Sequence, residues 1–433
     1  MLLQDIAYLD ETMEVKEHQD IRIQDTCIHE IANHGCLTPY PKEECLSGKG
    51  LLVMPGLCDA HMHTGQQLLK GCVLDASGMI WKDIMLPFES TLTDEIMQLN
   101  AELAALEMIR NGTTSFLDAG SYHMDAAAKI YAQSGLRAQL TCSTMDDASL
   151  PIQIQDDVES ALAKNDAFYD TWHQKGNLKV SYSLRTLLSV SERLIKEIHA
   201  HAKARNALLQ VHMNEYEQEV HAVIAKYGMR PYTYLDQLKI LDERFVGAHS
   251  LIVDEEEISL MQKHHTHVVL CPFSNSAKAL APYPTLKKQG LLLALGSDGS
   301  AHGGLSLWNE MRQLRCMIHV THGIANHDRH ILSAKELLHM AITNGTALMQ
   351  EKNLGCIKPG YLADLIFLNI HQPHLYPSGN LTNTLVECVE GHDVLHSMVN
   401  GKWLMKDHKI LTLDEKAIFQ KAVAFQRKSS SEL

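Results

Sequence analysis

The stretch VMPGLCDAHMH, residues 53–63, decides the fold. An apolar run ends in His61 and His63, spaced i and i+2, so a strand here sends both imidazoles to one side at its C-terminal end. Seven further short apolar runs follow: TTSFLDA from Thr113, RAQLTCS from Arg137, LKVSYSL from Leu178, LLQVHMN from Leu208, FVGAHSL from Phe245, HVVLCPF from His267 and LLALGSD from Leu292. Longer amphipathic segments separate them. Residues 93–112, TDEIMQLNAELAALEMIRNG, read as a helix capped by Thr93 and stopped at Gly112. Ser333 and Glu336 form a capping box for SAKELLHMAITNG. Eight strands alternating with helices, each too apolar to face water on either side, predict a (β/α)8 TIM barrel. A doubly wound open sheet is the alternative, and the polar residues at the strand ends favour closure.

The flanks differ. Short alternating segments near both termini, such as HQDIRIQD and ADLIFLNI, lack intervening helices and carry turn signals at Pro373, Pro377 and Asn400-Gly401. They predict a small composite β-sandwich domain built from residues 1–54 and 363–433, with the barrel inserted as residues 55–362. The polar ending RKSSSEL is the one disorder-like stretch.

Composition excludes several classes. Thirty-eight Lys and Arg stand against 52 Asp and Glu, a formal charge of −14, which argues against a nucleic-acid footprint. No apolar run approaches the roughly 20 residues needed to cross a bilayer, so no membrane partner is expected. The opening MLLQDIAYLDETMEVKE has neither a basic n-region nor a sustained apolar h-region, and the expected location is the cytoplasm. Ten scattered cysteines, none in CxxC, read as reduced thiols. The compositional oddity is 26 histidines.

In a TIM barrel, chemistry sits at the C-terminal strand ends. There the first run offers His61 and His63, the fifth His212 with Glu215 just beyond, the sixth His249 and the eighth Asp298. A lone histidine at a strand end is usually a satisfied polar group. The coincidence on four strands, with no histidine ending strands three, four and seven, points to a metal centre. Imidazoles and a carboxylate suit Zn²⁺ or Fe²⁺ with a position left for water, whose pKa falls to about 7 on such an ion. Glu215 is then placed to move a proton as general acid and base. The near-HExxH stretch IHEIANH spaces its histidines five apart, off one helical face. The PCxxC deaminase signature, GxGxxG, GxxxxGK and GxSxG are all missing from suitable contexts.

MPGLCDAHMHTGQ (Met54–Gln66), VHMNE (Val211–Glu215), GAHS (Gly247–Ser250), CPFSNSA (Cys271–Ala277), LGSDGS (Leu295–Ser300) and LGCIKPGYLADLIFL (Leu354–Leu368) together resemble the amidohydrolase superfamily. The resemblance is to its mononuclear branch of methylthioadenosine/S-adenosylhomocysteine deaminases, guanine deaminases and triazine chlorohydrolases, and it spans nearly the whole chain. It implies His61, His63, His212 and Asp298 as metal ligands, with His249 contacting the metal-bound water or the developing oxyanion. Glu215 would protonate a ring nitrogen, Asp298 would accept the proton of the attacking water, and ammonia would depart. Binuclear members need a carbamylated lysine ending strand four. Lys179 begins that strand, so one metal is expected, zinc first and iron second.

The resemblance also implies a small heterocyclic substrate. In WKDIMLPFE, Trp81 would stack on a base or ribose and Glu89 would accept ribose hydroxyls, while Gln66 is shared by several purine-deaminating subgroups. Trp81 reads equally well as packing on the barrel. Arg185 stands where adenosine-type deaminases usually show histidine and guanine deaminases show arginine. Its donors favour a carbonyl or anionic acceptor, which raises a guanine or pterin deaminase, beside an s-triazine chloro- or aminohydrolase, as alternatives to a purine-nucleoside deaminase. A catalytically dead barrel retained as a scaffold would have lost a ligand or Glu215, and none is lost. The family relationship further implies a homodimer.

Overall fold

The computed structural model of the chain describes residues 1–76 and 79–431. Its centre is a closed parallel barrel. The strands are Leu57–His63, Thr113–Asp118, Arg137–Leu140, Leu178–Thr186, Leu209–Met213, Phe245–His249, His267–Leu270 and Leu292–Gly299. The fourth is interrupted at Ser181 and the eighth between Leu295 and Asp298. Each interrupted strand has one half in each of two five-stranded arcs, so these two strands join the arcs into a ring. Closure is made where Asp298 pairs with Met62 and Gly299 with His63.

Local signals act as expected. Thr93 accepts from Ile96 N at 3.3 Å, and the helix Asp94–Asn111 stops at Gly112 with φ +81°. Ser333 and Glu336 cap Ala334–Ala341 reciprocally. The near-HExxH stretch is strand, Cys27–Asn33, rather than helix.

The run that begins at Val53 is two strands. Leu51–Pro55 belongs to the terminal sheet and Leu57–His63 to the barrel. Between them a Cβ on Gly56 would lie 2.0 Å from Thr114 Oγ1, so only glycine lets the chain pass this close to the second strand.

The termini build a nine-stranded sheet. Leu2–Leu9, Val15–Gln24, Cys27–Asn33, Cys45–Ser47 and Leu51–Pro55 come from one end, and Leu365–Asn369, Val394–Val399, Lys402–Lys406 and Lys409–Ile410 from the other. They join where Leu365–Asn369 runs antiparallel to Leu51–Pro55, with Ile366 opposite Met54. Alternation divides the seam between two cores. Leu52, Met54, Ile366 and Leu368 pack with the barrel layer, whereas Val53, Leu365 and Phe367 pack with Leu3, Ile6 and Ile21. The tail is not the unstructured ending its composition predicts. The helix Glu415–Ser431 takes in all of RKSSSEL but residues 432–433, which lie outside the described residues. Arg110 forks onto Glu415 at its start, with Nε to Oε1 at 2.9 Å. Among the described residues, no helix is long and apolar enough to cross a membrane.

Candidate active site

The C-terminal strand ends bring His61, His63, His212, His249 and Asp298 to one point. His63 Nε2 faces His212 Nε2 at 3.1 Å and Asp298 Oδ1 at 3.3 Å, and His61 Nε2 lies 3.8 Å from the same oxygen. The rings of His61 and His212 have centroids 4.8 Å apart. His61 Nε2, His63 Nδ1 and His249 Nε2 are buried without a hydrogen-bond partner. Imidazole nitrogens facing one another across about 3 Å have no favourable direct contact unless a proton or a cation lies between them. Tetrahedral ligands at roughly 2.1 Å from a zinc ion stand about 3.4 Å apart, so the separations fit a shared divalent ion. Three overlapping groups of donors, His61 with His212 and His249, His61 with His63 and Asp298, and Glu215 with His249 and Asp298, each have their ligand atoms within 4.8 Å of one another.

The protonation states suit that use. Burial, reinforced by the neighbouring imidazoles, holds His61 and His212 well below the ordinary histidine range, so both are neutral at pH 7. Burial opposes ionisation of Asp298, but the His63 hydrogen bond and the Lys278 charge outweigh it and keep the carboxyl well below its usual range. Glu215 is likewise lowered, because the His249 ring and Lys278 outweigh its burial. Its Oε1 lies 3.6 Å from His249 Nε2.

Backbone geometry contributes to the convergence. Asn214, His249 and Asp298 occupy the left-handed region, with φ of +50°, +71° and +58°. Such conformations cost of order 1–3 kcal/mol each and persist where surroundings dictate them. Asp59 accepts from His61 N at 3.3 Å and Ser297 N at 3.0 Å, tying the first strand to the eighth. Burial pushes that carboxyl up to about 7. Asp118, ending the second strand, accepts from Thr64 N at 3.1 Å and from the Thr64 hydroxyl, fixing the turn after His63. Lys179 sits at the opposite end of the barrel, where Nζ donates to Met349 O at 3.3 Å and pairs with Glu351 at 3.1 Å.

A segment that sequence reasoning underread follows the seventh strand. Ser274 Oγ donates to Asp298 Oδ2 at 2.5 Å, and His249 Nδ1–H donates to Asn275 Oδ1 at 3.0 Å. Lys278 Nζ donates to Glu215 Oε1 at 2.5 Å. The strand carries no terminal histidine, so attention to imidazoles passes over it. The Ser-Asn pair at a barrel strand end was the available signal. With Nδ1–H committed to Asn275, a neutral His249 presents a bare Nε2 to the centre, and burial lowers its pKa.

Gln66, Glu89 and Arg185, expected from the sequence to bind substrate, meet one another. Arg185 Nη2 donates to Glu89 Oε1 at 3.1 Å and Nη1 to Gly120 O at 3.2 Å, while Gln66 Nε2 donates to Glu89 Oε1 at 3.4 Å. The expected lone positive charge of Arg185 is thus paired inside the protein. Glu89 Oε2, Arg185 Nε and Trp81 Nε1 are buried without partners. Trp81 lies in a helical turn, Trp81–Met85, and lines a cavity with Arg185, His212, Glu215 and Glu219. Glu219, which the sequence reading did not single out, accepts from Glu215 N at 2.9 Å.

Comparison with known proteins adds the following. The model of the amidohydrolase family matches residues 52–404. A 5'-deoxyadenosine deaminase of Methanocaldococcus jannaschii is 30% identical over 386 residues, covering 88% of this chain and 89% of that one. A 5-methylthioadenosine/S-adenosylhomocysteine deaminase of Thermococcus kodakarensis is 33% identical over 364 residues, 83% and 84% of the two chains. The crystal structure of an adenosine deaminase from Xanthomonas campestris, with bound zinc, superposes with a TM-score of 0.92 at 23% identity over 99% and 98% of the chains. At that identity the likeness speaks for the fold.

Proposed function

The chain belongs to the amidohydrolase family, a hydrolytic enzyme acting on carbon–nitrogen bonds, and from that premise we propose that it deaminates an adenine-type purine nucleoside. The substrate class we assign is that of methylthioadenosine, S-adenosylhomocysteine and 5'-deoxyadenosine. The observation that carries the reading is the convergence of imidazoles on Asp298 with Glu215 alongside.

We assign His61, His63, His212 and Asp298 as ligands of one divalent ion, zinc with iron as the alternative. Such an ion, when bound, supplies Lewis acidity that takes the pKa of water from 15.7 to about 7. The remaining chemistry belongs to side chains. His249 Nε2 accepts a hydrogen bond from the attacking water. As the water oxygen bonds to the ring carbon bearing the amine, Glu215 receives the first proton of the water and delivers it to the adjacent ring nitrogen. Asp298 takes the second proton from the added hydroxyl and passes it to the amine, the carbon–nitrogen bond breaks, and ammonia leaves. Both carboxyls are lowered and begin ionised, so both protons originate from the water consumed.

The Arg185–Glu89 pair supports the nucleoside reading over one in which Arg185 meets a substrate carbonyl. Arg185 is already paired, and the unpartnered Glu89 Oε2 requires a donor, which ribose hydroxyls supply. Trp81 is assigned to stack on the base or ribose, and Gln66 to steady Glu89. Cytoplasmic location and a homodimer complete the proposal.

Ammonia release tests it across methylthioadenosine, S-adenosylhomocysteine, 5'-deoxyadenosine, guanine, a pterin and a chlorinated s-triazine, with Glu215→Gln as control. Turnover of the nucleosides that is lost in the variant is expected. Turnover of guanine or pterin alone, or chloride release alone, contradicts the assignment.

A further inference from the structure

We infer that Lys278 is a positioning residue for the deamination, holding Glu215 directly and Asp298 through Ser274 in the orientations that the proton transfers require. The inference rests on the deaminase reading.

Lys278 is 5% exposed, and a buried ammonium must find partners for its donors. Among the described residues it finds them in the reacting centre. Nζ donates to Glu215 Oε1 at 2.5 Å and to Ser274 Oγ at 2.7 Å, and it faces Asp298 Oδ2 at 3.7 Å. Ser274 Oγ–H in turn donates a hydrogen bond to Asp298 Oδ2 at 2.5 Å. The lysine therefore occupies one oxygen of Glu215 directly and one oxygen of Asp298 through Ser274. That arrangement turns Asp298 Oδ1 toward His61 and His63 and keeps Glu215 beside His249. The Tyr216 ring, 5.3 Å from Nζ, covers the ammonium.

The backbone directs the side chain there. Lys278 N bonds to Asn275 O at 2.8 Å, continuing the short helical turn Pro272–Asn275. Ser274, Asn275 and Lys278 thus reach Asp298, His249 and Glu215 from a single stretch of chain. Donor atoms of Glu215, His249 and Asp298 lie within 4.8 Å of one another. Two ionised carboxyls that close repel, and a cation between them fixes their spacing. Sequence reading stops one residue short of this lysine, because it lies beyond the strand end in a loop of small residues.

The test uses the full-length, metal-loaded enzyme with methylthioadenosine, followed by the change in adenine absorbance. Lys278→Met is expected to lower kcat about 10²-fold with KM and bound metal unchanged, the effect of misplaced reacting groups. Ethylammonium added to Lys278→Ala is expected to recover part of the loss. Ser274→Ala, which leaves the lysine in place, is expected to lose about tenfold, one hydrogen bond's worth. A Lys278→Met enzyme with wild-type kcat overturns the inference. So does a loss of kcat that follows a loss of metal and is not relieved by the amine. A wild type inert toward every nucleoside overturns the proposed function and this inference with it, whereas a competent wild type matched by Lys278→Met overturns the inference alone.

Discussion

Arg185 Nη2 lies 3.1 Å from Glu89 Oε1, and the two side chains are 2% and 1% exposed. They come from the end of the fourth barrel strand and from the helical turn Leu86–Glu89, so the pair ties that turn to the barrel. Removing one partner leaves a buried charge uncompensated, at a cost of about 3–5 kcal/mol. Glu89→Ala and Arg185→Ala should each lower stability on that scale in urea unfolding. The double variant Glu89→Leu/Arg185→Met should lose less than the sum. Additive losses would show that the pair does not couple.

Asn275 holds His249 in a defined tautomer. Asn275→Leu removes the acceptor for Nδ1–H, so the ring can protonate Nε2 instead and present a donor to the centre. A loss of about 10-fold to 10²-fold in kcat is expected, the equivalent of about 1–3 kcal/mol. Metal analysis of the same variant reports on the ring's task. Retained metal fits a hydrogen-bonding role for His249, whereas lost metal makes it a ligand.

Much of the site was legible because strand ends carry chemistry in this architecture, and His61, His63, His212, His249 and Asp298 all lie within the last three residues of barrel strands. The helix caps at Thr93 and Ser333 were legible for the same local reason. What escaped is what depends on tertiary placement. Leu51–Pro55 and Leu57–His63 share one apolar composition, and only the close approach at Gly56 divides them. Asn275 ends a four-residue helical turn and Lys278 follows it, a stretch too short for periodicity to carry information. Arg185 reads as a free charge until the fold places Glu89 against it, 96 residues away in the chain.

Glu219 introduces a pH dependence. Burial pushes its carboxyl up to about 8 from an ordinary value of 4.5. Between those values the folded protein holds a proton that the unfolded chain releases, so stability falls as pH rises through that window. The slope is at most about 1.4 kcal/mol per pH unit for one proton. Glu219→Gln imitates the protonated form and removes the dependence. Its melting temperature relative to wild type should rise steadily from pH 5 to pH 8, and a constant difference would contradict the assignment.

Metal removal should separate the ligands from the other polar residues. Chelation is expected to abolish ammonia release and lower the melting temperature, since an ion bound only by the folded state stabilises it by mass action. Zinc or iron should restore both properties to wild type. His63→Ala should recover neither, because His63 Nε2 faces both His212 and Asp298. Full restoration of His63→Ala by zinc would remove His63 from the ligand set.

Trp81 separates binding from chemistry. It lines the cavity beside Arg185, His212 and Glu215 but belongs to none of the proton transfers. Stacking of a base on an aromatic ring is worth about 1–3 kcal/mol by alanine substitution, equivalent to about 5-fold to 150-fold in affinity. Trp81→Ala should therefore raise KM for methylthioadenosine within that range and change kcat much less. Trp81→Phe, which keeps a ring, should recover most of the loss. If both variants instead lower kcat with KM unchanged, Trp81 supports the helical turn Trp81–Met85 rather than the substrate, and the stacking assignment fails.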